Sequence, residues 1–318
     1  MDEALLTSAA DLLKQAQRIL VISHIRPDGD AIGSTLGLGL SLQIAGKDVQ
    51  MVSLDGIPAS FRHLPGSSQV TKRPDGQFDA IVLVDCADMD RVGEVLKDYP
   101  FPDINIDHHP TNTHFARLNL VDPVAVATAE ILAEHMPALG LWINQEVATV
   151  LLAGLITDTL GFRTNNMTPK SLRIAADLME KGADLPGLYY RSLVQRPYEA
   201  VRFWGAGLSQ LKKEDRIVWT SLSIADRKAA GYLGRDDADL VNLLTTINDV
   251  DLVVIFIEQD NGRVKVSWRS RPGFDVSKLA QSFGGGGHIS AAGAEVDGRI
   301  DEVQDRVLKA TRKLIEKG

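Results

Sequence analysis

Hydrophobic and polar positions follow two different textures along this chain. In the first, short unbroken apolar runs are separated by longer stretches with helical spacing. RILVISH (18–24), VQMVSL (49–54), FDAIVLVD (78–85) and INID (104–107) are dense in aliphatic residues. Runs of that density suit strands covered on both faces. AIGSTLGLGLSLQIAG (31–46) and stretches at about 124–136, 144–158 and 171–182 read as helices, the last closed by Lys181 and Gly182 as a C-cap. Strand and helix in alternation predict an α/β domain with a mostly parallel sheet flanked by helices.

From about residue 188 the texture changes. YYRSLVQRPYEAVRFWGAGLSQL reads as a connecting helix broken near Pro197. IVWTSLSI (217–224) predicts a strand and DADLVNLLTTI (237–247) a helix. LVVIFIE (252–258) and RVKVSW (263–268) predict two strands joined through QDNG as a hairpin. A short helix (VSKLAQSF), a glycine run and a terminal helix from about Ile300 follow. The expected organisation is a first α/β domain over 1–187, a connector over 188–205 and a smaller α/β domain over 206–318, with a cleft between the domains.

Composition narrows the class. The 318 residues suffice for about two domains. Hydrophobic residues make up 44% and charged residues 24%, an ordinary globular balance. Nothing approaches the roughly 20-residue apolar run of a membrane span, and the acidic, amphipathic N-terminus lacks a secretory pattern. Cys86 is the only cysteine, so no intrachain disulfide can form, which fits a cytoplasmic protein. The net charge of −8 argues against a broad basic surface for long nucleic acid but leaves room for a local phosphate site.

Candidate chemistry gathers where predicted strands end, the place where ligands bind in doubly wound sheets. His24, Asp28 and Asp30 follow the first strand. Asp85 closes IVLVD. Asp107, His108 and His109 close INIDHH, and Asp158 interrupts the apolar helix ATVLLAGLIT. Singly, an aspartate after a strand is ordinarily a turn former or helix N-cap, and a lone histidine is ordinarily structural. Asp158 resists that reading, because a carboxylate in an apolar helix is costly unless paired or bound to metal. Imidazole with carboxylate and no thiolate selects a hard-to-intermediate divalent ion, Mn2+ first and Mg2+ or Co2+ next, with Zn2+ less suited. Asp28, Asp30, Asp85 and Asp158 bring four negative charges, which two such ions cancel. A carboxylate bridging two ions about 3.5–4 Å apart is a device of phosphoryl chemistry, able to acidify a water and supply hydroxide.

HIRPDGDAIGS, VDCAD, DHH and ITDTLGF resemble the four motifs of the DHH phosphoesterases, and SWRSRPGFDVSKLAQSFGGGGHISAAGA resembles the DHHA1 substrate-binding domain found in one branch of that family. The resemblance spans nearly the whole chain. It implies that His24, Asp28 and Asp85 hold one Mn2+ and that Asp30, Asp85, His108 and Asp158 hold a second, with Asp85 bridging. It also implies that Asp107 orients a histidine and that His109 faces the substrate phosphate. Cys86 should point away from Asp85's face along the strand.

On the phosphate side the chain offers Arg269 and Ser270, then Gly285, Gly286 and His288. Glycines let backbone N–H groups approach an anion, and arginine can grip a phosphate with two hydrogen bonds. Gly284–Gly287 could equally be a flexible loop; the family pattern favours the cradle. Family members with these two domains alone resemble nanoRNase/pAp phosphatases. The resemblance thus implies a manganese-dependent phosphoesterase that takes very short RNA to mononucleotides and adenosine 3′,5′-bisphosphate (pAp) to AMP. The alternative within the family is hydrolysis of cyclic di-AMP or its linear product pApA. An alternative of another class is a non-catalytic nucleotide sensor, against which the completeness of the motif residues argues. Family members often dimerise through the first domain.

Overall fold

The computed structural model describes residues 1–316. The chain divides into two compact units, Met1–Gln195 and a second beginning at Arg196.

In the first unit, helix α1 (Glu3–Gln15) precedes β1 (Arg18–Ile22), α2 (Gly29–Ile44) and β2 (Asp48–Val52). Then come β3 (Ala80–Val84), β4 (Ile104–Asp107) and β5 (Leu118–Val121), followed by α3 (Thr128–His135), α4 (Gln145–Asp158), α5 (Pro169–Glu180) and α6 (Leu185–Tyr189). The five strands form one parallel sheet in the order β2-β1-β3-β4-β5. Its register aligns the carboxyl ends: Ile22 pairs with Val52 and Leu83, and Val84 with Ile106. The residues that follow β1, β3 and β4 therefore emerge along one edge.

The sheet is buried on both faces, as the apolar runs predict. Ile19, Val21, Val82, Val84, Ile104 and Ile106 pack under the helices. Leu20, Ile22, Ile81 and Leu83 pack against Val92, Val95 and Leu96 of the 3-10 segment Met89–Leu96. Each such side chain contributes about 1.5–3 kcal/mol when fully buried. Helices α2 and α4 approach so closely that a Cβ on Gly33 would strike the Val150 carbonyl and the Gly154 backbone. This explains the glycine-rich texture of α2, despite the usual cost of glycine in a helix.

Several elements differ from the expectation. Strand β1 ends two residues before His24, because the parallel ladder with β2 and β3 stops at Ile22. Helix α2 starts at Gly29, where Asp28 caps it by accepting from the Asp30 and Ala31 N–H groups at 3.1 Å. Strand β5 had no apolar-density signal, since only Leu120 in LNLV is fully buried.

The second unit opens with α7 (Tyr198–Ser209), β6 (Lys212–Glu214), β7 (Ile217–Leu222), α8 (Ile224–Ala230) and α9 (Leu240–Leu244). Strands β8 (Leu252–Glu258) and β9 (Arg263–Ser270), helix α10 (Val276–Gln281), strands β10 (Gly286–His288) and β11 (Ala291–Asp297) and helix α11 (Ile300–Ile315) complete it. The six-stranded sheet runs β10-β11-β9-β8-β7-β6. Only β7 and β8 pair in parallel; the β8–β9 hairpin forms as expected, turning through Gly262 at φ +74°. Trp268, Phe256 and Val266 pack with Val303 and Val307 of α11, and Phe203 of α7 packs with Val253 and Ile255 on the other face. Residues 198–209, within and beyond the expected connector, thus supply core to this unit.

The helix predicted over 237–247 contracts to Leu240–Leu244, entered through Ala238 and Asp239 at positive φ. Gly286–His288 forms an edge strand on β11 rather than a flexible loop. Among the described residues, no helix is long and apolar enough to cross a membrane.

Candidate metal centre

Four segments deliver side chains to the carboxyl edge of the parallel sheet. His24 follows β1, Asp85 follows β3, and His108 and His109 follow Asp107 at the end of β4. Asp30 lies in the first turn of α2 and Asp158 is the last residue of α4. Ligand atoms of His24, Asp28 and Asp85 lie within 4.8 Å of one another, as do those of Asp30, His108 and Asp158, and those of Asp85, His108 and His109. Asp85 joins the groups through different oxygens. Its Oδ2 lies 3.4 Å from His24 Nε2, while its Oδ1 lies 3.7 Å from His108 Nε2. His108 Nε2 is also 3.6 Å from Asp158 Oδ2, and His24 Nε2 is 3.9 Å from Asp28 Oδ2.

The surrounding chain fixes these groups. Asp85 has φ +57°, a left-handed conformation that costs a non-glycine residue about 1–3 kcal/mol and that concentrates at functional sites. The Thr128 hydroxyl donates to Asp85 Oδ1 at 3.0 Å. At the start of α3 the Thr128 and Ala129 N–H groups donate to the two Asp30 oxygens at 2.6 and 2.9 Å. His24 and His108 each direct Nδ1–H to a backbone carbonyl, that of Ile25 at 2.8 Å and that of Ala125 at 3.3 Å. Such bonds fix the tautomer and turn Nε2 toward the centre. His109 Nδ1 donates to Asp107 Oδ1 at 2.6 Å, and Asn112 donates to Asp107 Oδ2 at 2.6 Å. Asp107 therefore orients His109.

The donor set fits divalent cations. His24 Nε2 is buried and makes no hydrogen bond, although it points at two carboxylates. Burial, then the Asp85 and Asp158 charges, raise Asp30 well above the ordinary carboxylate range. Asp158 is likewise raised well above it by burial, Asp28 and Asp85. For Asp85, burial pushes upward, but His24, 3.4 Å away, and the charges of His108 and His109 outweigh it, so its pKa is lowered. Burial depresses His24, His108 and His109, yet the neighbouring carboxylates outweigh it and all three are raised. Crowded carboxylates that repel one another and draw protons are the electrostatic signature of a site completed by cations. Cys86 lies in the opposite core layer, its thiol pushed up to about 12 by burial, and its Sγ donates to the Asp88 carbonyl at 3.1 Å.

Arg269 and His288 lie in the second unit. Ala291 pairs with both, so they stand two strands apart on one cross-sheet line and share a face. Arg269 donates through Nε to Asn242 Oδ1 at 3.2 Å and through Nη1 to the Trp268 carbonyl at 3.0 Å. The Ser270 hydroxyl donates to the Phe274 carbonyl at 2.8 Å. Gly285 and Gly286 run along the exposed edge beside β11. At Gly287, φ is +141° and a Cβ would strike the Ala291 carbonyl, so glycine is required there by close strand packing.

Sequence reasoning missed Thr128, Asn112 and Asn242, which hold site residues in place, and Arg91, whose Nη1 lies 3.5 Å from His109 Nε2. Thr128 carries no local signal, because its contacts with Asp30 and Asp85 span 98 and 43 residues of sequence. Arg91 follows Asp85 by only six residues, and its position behind a strand-end aspartate was the available clue.

Hard oxygen donors and imidazoles at the carboxyl edge of a parallel α/β sheet, with a second mixed-sheet unit, suit a metal-assisted hydrolase of phosphoester bonds. The match to known families makes the class specific: residues 18–155 match the DHH family N-terminal domain and residues 230–317 the DHHA1 domain. A Thermus thermophilus protein named bifunctional oligoribonuclease and PAP phosphatase NrnA is 37% identical over 96% of this chain and 92% of its own length. The chain belongs to the DHH family. The crystal structure of an exopolyphosphatase-related protein from Bacteroides fragilis superposes with a TM-score of 0.90 at 27% identity, covering 99% of this chain and 96% of that one. The Bacillus subtilis cyclic-di-AMP phosphodiesterase GdpP is 24% identical over 97% of this chain but only 49% of its own length.

Proposed function

We propose that the protein hydrolyses very short oligoribonucleotides to mononucleotides and pAp to AMP, using two Mn2+ ions held by its acid–histidine centre. The observation that carries this reading is the division of Asp85, with one oxygen toward His24 and the other toward His108. A carboxylate so placed can bridge two cations. His24, Asp28 and Asp85 would hold one, and Asp30, Asp85, His108 and Asp158 the other. The 37% identity to a protein named for both activities supports the choice of substrates.

When bound, the cations supply Lewis acidity and a water acidified toward neutral pKa. The chain supplies the rest. Asp107 holds His109 with its Nε2 turned outward from the Asp107 bond, so that when protonated it donates to a phosphoryl oxygen. Asp28, Asp30, Asp85 and Asp158 would neutralise the cations, and the Thr128 hydroxyl orients the Asp85 carboxylate. Water gives its oxygen to phosphorus, the phosphorus–oxygen ester bond breaks, and the departing oxygen takes a proton; nothing is oxidised or reduced. In the second unit, Arg269 and His288, which share a sheet face, would be phosphate-binding groups.

The test is a substrate panel with Mn2+: pAp, RNA of two to five nucleotides, pApA and cyclic di-AMP. Fastest release of mononucleotide from pAp and short RNA is expected. Preference for cyclic di-AMP or pApA would move the assignment to the second reading, which similarity to GdpP over nearly the whole chain favours. Absence of turnover on all four would leave a nucleotide sensor.

A further inference from the structure

We infer that Arg91 is a catalytic residue that grips the phosphoryl group being hydrolysed; this rests on reading the centre as a phosphoesterase site. Three observations within the first unit carry it.

The first is placement. Arg91 lies in the 3-10 segment Met89–Leu96, six residues beyond Asp85, which follows β3. Its backbone is tied at both polar groups. Its N–H donates to Asp88 Oδ1 at 2.9 Å, and its carbonyl accepts from the Ile25 N–H at 2.8 Å. Residue 91 thus straps the loop that carries His24 to the loop that carries Asp85. A side chain launched from such a fixed point loses less freedom when it binds.

The second is direction. The guanidinium Nη1 lies 3.5 Å from His109 Nε2. Arginine has donors only, so His109 Nε2 is the acceptor, consistent with Nδ1–H donating to Asp107. Arg91 therefore stands beside the histidine assigned to the substrate phosphate.

The third is charge. The ion pairs of the centre all join its histidines to its aspartates, and among the described residues Arg91 forms no ion pair with any carboxylate. A half-buried cation beside so many acids ordinarily pairs with one of them. Here the aspartates face the histidines. Four of them would cancel two divalent ions, which would leave no surplus positive charge for a phosphate. Arg91 supplies it, with planar donors suited to two phosphoryl oxygens.

The test uses the full chain loaded with Mn2+. Arg91→Ala should lower kcat/KM on pAp by about 10²–10³-fold, the range for removal of one donor to a developing oxyanion. Bound manganese and melting temperature should stay at wild-type values. Arg91→Lys should keep an intermediate rate, and millimolar guanidinium should restore part of the Arg91→Ala rate. Binding of inorganic phosphate to the Mn2+-loaded protein, read by calorimetry, should weaken at least tenfold in Arg91→Ala, roughly one charge-assisted hydrogen bond. This last readout needs no turnover. If the wild type hydrolysed none of the panel, the substrate assignment would fall while phosphate binding still judged Arg91. Wild-type phosphate affinity in Arg91→Ala would overturn the inference. So would a rate loss matched by lost manganese or a lowered melting temperature, without guanidinium rescue, since Arg91 would then be a structural strap.

Discussion

The two units present their polar residues in opposite ways. In the first, a parallel sheet is covered on both faces, and its chemistry collects in a buried cluster at one edge, where His24, Asp30, Asp85 and His108 are each under 10% exposed. In the second, a largely antiparallel sheet ends in the exposed strand β10, and Gly286 and His288 lie open along it. Burial makes the first site electrostatically severe, because desolvation and mutual repulsion perturb the carboxylates and imidazoles gathered there. At the solvated edge strand β10 each group contributes less and is screened more; Arg269, two strands inward on β9, is desolvated and bonded to Asn242. Changes in the first unit should therefore remove reactivity, and changes in the second should weaken binding in smaller steps.

Asp85→Asn sharpens that contrast most. It removes the charge proposed to bridge the cations, and turnover should fall by several orders of magnitude with loss of bound cations; near-normal rates with full metal content would break the comparison. His109→Ala should lower kcat by about 10²–10⁴-fold, the usual range for a positioned acid or base. Metal analysis should show both cations retained, and their loss would make His109 a ligand. Thr128→Val deletes the hydroxyl bonded to Asp85 while conserving shape. Calorimetry should find cation affinity reduced by about 10–100-fold, as for other groups that orient ligands. Unchanged affinity would mean the strained Asp85 backbone is held by the fold alone. Arg269→Ala, in the second unit, should raise KM by about tenfold through one charge-assisted contact, with manganese content intact. A collapse of kcat instead would erase the distinction between the units.

The smallest effect is on pH dependence. Asp30, Asp158, His24 and His108 all have raised pKa values in the metal-free protein. As pH falls toward those values each takes up a proton and ceases to be a ligand, so protons compete with the cation. Manganese affinity should fall from pH 8 to pH 6. An affinity independent of pH across that window would mean that these groups do not hold the metal.

The parts of this molecule legible in its sequence are those set by dense local pattern. The β1, β3 and β4 runs announce themselves because both faces of the sheet are covered, and Asp158 is conspicuous because a carboxylate interrupts an apolar helix. Strand β5 escapes notice, since LNLV buries only one residue. Strand β11 is built from small residues, AAGAEVD, which carry little hydrophobic contrast. Helix α8 was readable in hindsight: Ser223 and Asp226 form a capping box and Gly231 closes it at φ +74°. Thr128 and Asn112 could not be assigned roles from pattern, and Arg91 offered only its nearness to Asp85 in sequence. Each acts through a partner brought near by the fold, and neither a hydroxyl nor a guanidinium has a periodicity to betray it.

The central claim is that one aspartate joins two cation sites. Titrating the metal-free protein with Mn2+ and recording electron paramagnetic resonance tests it directly. The account predicts two ions per chain with an exchange-coupled spectrum that Asp85→Asn abolishes. A single, magnetically isolated ion at saturation, with the same spectrum in Asp85→Asn, would contradict it.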